Sequence, residues 1–350
     1  MTKITNPLNI EYNYIESFGF LPDGTEIFSY KLKNKLGVEC CIINFGATVT
    51  SLKIPVENGK TIDVVLGFDA VADYVKSFSL QSPPFFGATI GRFAGRLKNG
   101  QFLLNDKLIT VNKNHKNHCL HGGQQSFSQK VWTVKTFTHS NNPSITLEYC
   151  SADDQEGFPG KLDVSVTYTL AENNEFIVEY NATSNKDTIV NLTHHTYFNL
   201  DGHENNIDNL EMVVHAKKIL ETDDELIPIG KFINLDQHSF DFYEMKKCPV
   251  SIDNTFVLEN ENAARLFSKK NRLKMTVFTN QPSVHIYVGG NCFNEIQGKE
   301  NANYHTKSGI CFETQNFPDA PNHIDFPNAI LKKDELYNNK TTFKFENYKL

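Results

Sequence analysis

Hydrophobic and polar residues alternate with a period of two wherever a period is legible along the chain. Leu162, Val164, Val166, Tyr168 and Leu170 are separated by mainly polar positions, which predicts a half-buried strand. After a polar turn at Asn173 and Asn174, the residues Phe176, Val178, Tyr180 and Ala182 repeat the pattern and complete a hairpin. Ile145 to Tyr149 and Leu273 to Val277 alternate in the same way, and strand character continues into the C-terminal TTFKFENYKL. The best helical stretch, Asp69 to Phe78, is short and reads as a connection between strands. An all-β, mostly antiparallel protein is expected. No Pro/Ser-rich linker, low-complexity tract or fixed repeat divides the chain, so residues 1–350 are read as a single domain.

Composition is consistent with that picture. A hydrophobic fraction of 39%, with 27 Phe and 13 Tyr among 350 residues, is enough to fill a large core and argues against disorder. Lys plus Arg total 34 against 41 Asp plus Glu, giving a formal charge of -7, which offers nucleic acid no basic face. A neutral small-molecule partner fits better. The opening MTKITNPLNIEYNYIESF lacks the pattern of a secretion signal, and no apolar run is long enough to span a membrane, so a soluble cytoplasmic protein is expected. Seven cysteines without a C-x-x-C pair, including the adjacent Cys40 and Cys41, read as free buried thiols.

Four segments interrupt the alternation with Gly, His, Asn and aromatic residues, where a β scaffold places its binding loops. GATIGRFAGRLKNGQF, Gly87 to Phe102, has neither dinucleotide nor phosphate-loop spacing. Its Arg92 and Arg96 instead have the chemistry to donate to sugar hydroxyls, although each taken alone reads more readily as structural. NHKNHCLHGG sets His115, His118 and His121 three apart, but the surrounding Asn and Gly argue for a loop, and no recognised metal-ligand spacing completes the set. No metal is expected.

NLTHHTYFNLDG puts His194 beside His195; in an extended segment neighbouring side chains point to opposite faces, so only one of them can serve a given pocket, as a proton-transfer group. GICFETQNFPDAPNH places Glu313 between Phe312 and Thr314. A carboxylate among aromatic residues is expected to be desolvated and to ionise at higher pH than usual, which suits a base. Asp319, after the turn, reads as a turn-stabilising residue.

Taken in order, these four segments resemble the aldose 1-epimerase (galactose mutarotase) family. The resemblance extends over nearly the whole chain through SADDQEGFPGKLDVSVTYTL, ELIPIGKFINL, FDF and FPNAILKKDELY. It implies a large, curved antiparallel β-sandwich with one open sugar cleft, acting on a small-molecule aldose without a cofactor, as a monomer or homodimer. It places the catalytic acid on His195 and the base on Glu313. It places substrate binding on Arg96, His121, Tyr197, Asp253 and Gln281. Three positions depart from the family pattern: Gly95 and His194, each where Asn is frequent, and Asn254, where His is common. Three competing readings are a glycoside hydrolase, which needs two facing carboxylates; a non-catalytic sugar-binding protein on the same scaffold; and a relative acting on phosphorylated hexoses, with Lys98 or Arg92 at the cleft rim.

Overall fold

The computed structural model describes residues 14–57, 59–289 and 296–348. The amino-terminal stretch read for targeting lies largely outside these residues, as does Cys292. The described chain is overwhelmingly β, with one α-helix, Val71–Ser77, inside the stretch expected to connect strands.

Three antiparallel sheets carry the architecture. Five strands from Ile15–Phe20 to Thr61–Asp63 form a meander in chain order. A nine-stranded sheet contains Ser144–Ser151, Leu162–Leu170, Glu175–Ser184, Tyr337–Asn347 and Leu273–Thr279 side by side. The hairpin read from the sequence is present with regular register, Leu162 opposite Ser184 and Leu170 opposite Phe176. The C-terminal strand then inserts between Glu175–Ser184 and Leu273–Thr279, closing the middle of this sheet.

The third sheet has six strands in the order Tyr197–Phe198, Ile310–Gln315, Ser283–Val288, Ile252–Leu258, Ala216–Thr222 and Pro228–Asn234. One hydrophobic cluster joins all three sheets, from Leu32 through Val166, Val277 and Phe343 to Phe256, Ile286 and Phe312. The last three project from the six-stranded sheet towards the nine-stranded one, and the Phe198 and Phe343 rings meet across that layer at 4.9 Å. Because strand side chains alternate between faces, the residues between Phe256, Ile286 and Phe312 must point the other way. That second face carries the cleft.

Six described cysteines are free thiols: Cys40, Cys119, Cys248 and Cys311 are buried and Cys41 is half-buried, whereas Cys150 is exposed, so burial is not general.

Candidate active site

Register builds the cleft floor. Thr255, His285 and Glu313 stand directly opposite one another on three adjacent strands, and Asp253, Tyr287 and Cys311 form the next row two residues along. Side chains two apart on a strand share a face, so Asp253, Thr255, His285, Tyr287, Glu313 and Gln315 all line one cavity of about 500 Å³. Ile310–Gln315 is buried at all six positions, which removes the polar-apolar contrast that marks a half-exposed strand.

His195 arrives from a neighbouring ladder. Thr193–His194 pairs with Thr89–Ile90, and the His195 backbone exchanges hydrogen bonds with Ala88 and Gly87. The two imidazoles separate as an extended backbone requires. His194 turns inward against Tyr168 and Phe176 and hydrogen-bonds Thr196, while His195 enters the cavity with its Nε2 3.5 Å from Glu313 Oε1. The His195 ring leans on Tyr197 at 5.3 Å and on Phe85 at 5.8 Å.

Arg96 opens one of two short paired strands, Arg96–Leu97 and Cys119–Leu120, and His121 directly follows the other. Gly95 and His121 bond reciprocally: the His121 N–H donates to the Gly95 carbonyl, and the Gly95 N–H donates to His121 Nδ1 at 3.2 Å. A side chain at Gly95 would meet Pro318 at 2.9 Å with φ at +77°, which accounts for glycine there. Asp319 stabilises more than its own turn. Its carboxylate accepts from the Lys98 N–H at 2.8 Å and its N–H donates to the Arg96 carbonyl, fixing the backbone that aims Arg96. The Arg96 guanidinium lies 3.8 Å from Asp253 Oδ2.

Burial and neighbouring charges shift these groups in different ways. Burial pushes His121 well below the ordinary imidazole range, helped by the nearby His195 and Arg96, so it is neutral. With Nδ1 accepting from Gly95, a neutral His121 carries its proton on Nε2 and offers the cleft a donor. Burial also lowers His195, and the Glu313 carboxylate opposes that shift only in part. Burial would raise Asp253, but the hydrogen bond from His285 and the charges of His285 and Arg96 prevail and hold it below the usual carboxylate range.

The expected site residues divide. His195, Glu313, Arg96, His121 and Asp253 converge on the cavity. Tyr197 does not line it; it is buried beneath, between His195, Phe86 and Tyr287. Gln281 is not brought to the cleft. It sits at the turn before Ser283–Val288, where its amide donates to Asn280 and to the Asn338 carbonyl in a separate depression.

Asn254, on the opposite face from Asp253, also lies outside the cavity lining. Phe93, Phe198 and Phe312 are core residues, and the aromatic walls are Phe78, Phe85 and Tyr287. Arg92 is buried and donates to Ser151, Ala152, Pro159 and Gly160, a structural role. His118 turns from the cleft to Glu225, so the His115/His118/His121 run does not converge on one point.

Four floor residues, Thr255, His285, Tyr287 and Gln315, escaped the sequence reading. His285 bonds Asp253 and Thr255, and Gln315 is buried with no protein partner for its side-chain oxygen. The signal for Gln315 was its position two after Glu313; for His285 there was none without the register. A different trio, His121, His195 and Glu313, has ligand atoms within 4.8 Å of one another, close enough to surround a metal ion. The donor character of His121 Nε2 opposes ligation there.

The aldose 1-epimerase family pattern matches residues 29–344. Galactose mutarotase of Mus musculus is 36% identical, the alignment covering 94% of this chain and 97% of that protein. Aldose 1-epimerase of Escherichia coli K12 is 28% identical over 94% of this chain and 98% of its own length. A solved structure of an aldose epimerase homologue from C. elegans superposes with a TM-score of 0.84 at 28% identity, covering 92% of this chain and 99% of that one. On sequence and fold together, this chain belongs to the aldose 1-epimerase family.

Proposed function

We propose that this protein interconverts the α and β anomers of aldohexoses such as galactose and glucose, with Glu313 as base and His195 as acid. The observation that carries this reading is the buried His195–Glu313 pair, 3.5 Å apart on a cleft floor otherwise lined with hydroxyl-binding groups.

Anomer exchange moves two protons. Glu313 takes the proton of the C1 hydroxyl while His195, as imidazolium, gives its proton to the ring oxygen, and the C1–O5 bond breaks to leave an aldehyde. One proton has left the pair and one has joined it, so it still holds one. Rotation about C1–C2 turns the other carbonyl face towards O5. Glu313 then returns its proton to O1, His195 recovers the O5 proton, and the ring closes as the other anomer. No redox or group-transfer step is involved, and this chemistry calls for no cofactor.

Arg96 and the Nε2–H of His121 donate to sugar oxygens, Asp253 accepts from hydroxyls, and the Gln315 side-chain oxygen accepts another. All of these groups belong to one chain, which fits a monomer or a homodimer. The free thiols suit a reducing cytoplasm. Among the described residues no helix is long and apolar enough to cross a membrane.

The cleft does hold a second carboxylate, Asp253, as a glycoside hydrolase would require. Held ionised by His285 and Arg96, it is unsuited to be the raised-pKa acid of that reaction. A phosphorylated sugar finds little support, because Arg92 is buried elsewhere and Lys98 does not line the cavity.

Polarimetry of freshly dissolved α-galactose and α-glucose tests the assignment: the rotation should reach equilibrium faster with the protein than without it. Steady release of nitrophenol from nitrophenyl glycosides would overturn it.

A further inference from the structure

Four imidazoles, those of His115, His121, His195 and His285, line the cleft, and only that of His285 has a carboxylate hydrogen-bonded to its ring. His285 Nε2 donates to Asp253 Oδ1 at 2.9 Å and its Nδ1 meets Thr255 Oγ1 at 2.8 Å. Both nitrogens are engaged, so the ring cannot flip without losing a bond at each end. Directly across the ladder stands Glu313, where side chains of paired residues lie about 5 Å apart. His285 therefore faces two carboxylates, whereas His121 has only a backbone N–H on its Nδ1.

We propose that His285 is a positioning residue for the anomer exchange: clamped between Asp253 and Thr255, its ring holds the Asp253 carboxylate towards the sugar. This rests on anomer exchange being the reaction.

The charged neighbours agree with that role. Burial pushes His285 down, yet the hydrogen bond it donates to Asp253 and the charges of Asp253 and Glu313 outweigh burial and the repulsion of Arg96, leaving it above the ordinary imidazole value. His121 and His195, which share the cavity, move in the opposite direction. The same carboxylates that raise His285 are the ones its ring faces, as a clamp on Asp253 requires.

The test is a pair of variants: His285→Leu removes the anchor of Asp253 and should raise KM about ten-fold with kcat little changed, while His285→Gln keeps an amide donor for Asp253 and should restore most of that loss, the melting temperature staying close to wild type in both. A folded His285→Leu variant whose KM matches wild type, or a His285→Gln variant no better than His285→Leu, would overturn the proposal. Independently of any variant, 15N spectra of the wild-type protein should show the His285 Nε2 carrying a proton; an unprotonated Nε2 would overturn it. Absence of anomer exchange in the wild type would instead remove the functional reading, a result distinct from either.

Discussion

The hairpin Leu162–Leu170/Glu175–Ser184 and the strand Ile310–Gln315 are both central strands of antiparallel sheets, but they display opposite patterns. The hairpin strands alternate almost perfectly between buried and half-buried positions. Ile310–Gln315 is buried throughout, and three of its residues are polar. In the hairpin, one face meets the core and the other meets water, so polarity follows exposure. In the second strand both faces are enclosed, one by core and one by cleft, and polarity follows chemistry instead. Where a β protein buries polar side chains in rows, those rows are the place to look for function.

The largest expected effect breaks this comparison at its centre. Glu313→Gln and His195→Asn should each lower the polarimetric rate constant by about 10²–10⁴-fold, the usual worth of a general acid or base. Their melting temperatures should stay close to wild type. Near-normal rates in either variant would return that residue to the status of an ordinary buried polar group.

The next effect concerns stability alone. Arg92 is as buried as Glu313 but lies outside the cleft, where its guanidinium serves the carbonyls of Ser151, Ala152, Pro159 and Gly160. Arg92→Leu strands those acceptors and should cost about 3 kcal/mol or more in chemical denaturation. Stability matching wild type would show that these carbonyls find other partners.

His194 gives a smaller, pH-dependent effect. Burial pushes its imidazole down to about 3. The folded protein therefore stays unprotonated there while the unfolded chain, with an ordinary value near 6.5, takes up a proton as pH falls. Stability is full above about pH 6.5, declines below it, and the decline levels off near pH 3. Between pH 7 and pH 5 this one group should account for about 2 kcal/mol of lost stability. Denaturation of His194→Asn at both pH values should show a loss smaller by that amount; an equal loss would mean that His194 is protonated inside the core.

The fold was legible because strand alternation survives wherever one face is wet, and the Leu162 and Phe176 strands were read to within two residues at each end. The opposite facing of His194 and His195 followed from the extended backbone alone. What the sequence hides is which strands become neighbours. Asp253, His285 and Glu313 are far apart in the chain and meet through register, so His285 carried no local signal. The same limitation misplaced Gln281: a turn amide and a cleft amide look alike in sequence, and only the ladder distinguishes them.

The smallest effect isolates that distinction between two glutamines. Gln281 bonds Asn280 and the Asn338 carbonyl at the surface, and Gln281→Ala should leave kcat and KM unchanged, with at most a few tenths of a kcal/mol lost from stability. Gln315 is buried, faces the cleft, and has a side-chain oxygen without a protein partner. If that oxygen accepts a sugar hydroxyl, Gln315→Leu removes one neutral hydrogen bond, worth about 1 kcal/mol, and should raise KM roughly five-fold while kcat changes little. A rise in KM for Gln281→Ala with none for Gln315→Leu would reverse the assignment and mean that sugar reaches the depression at the turn before the Ser283–Val288 strand.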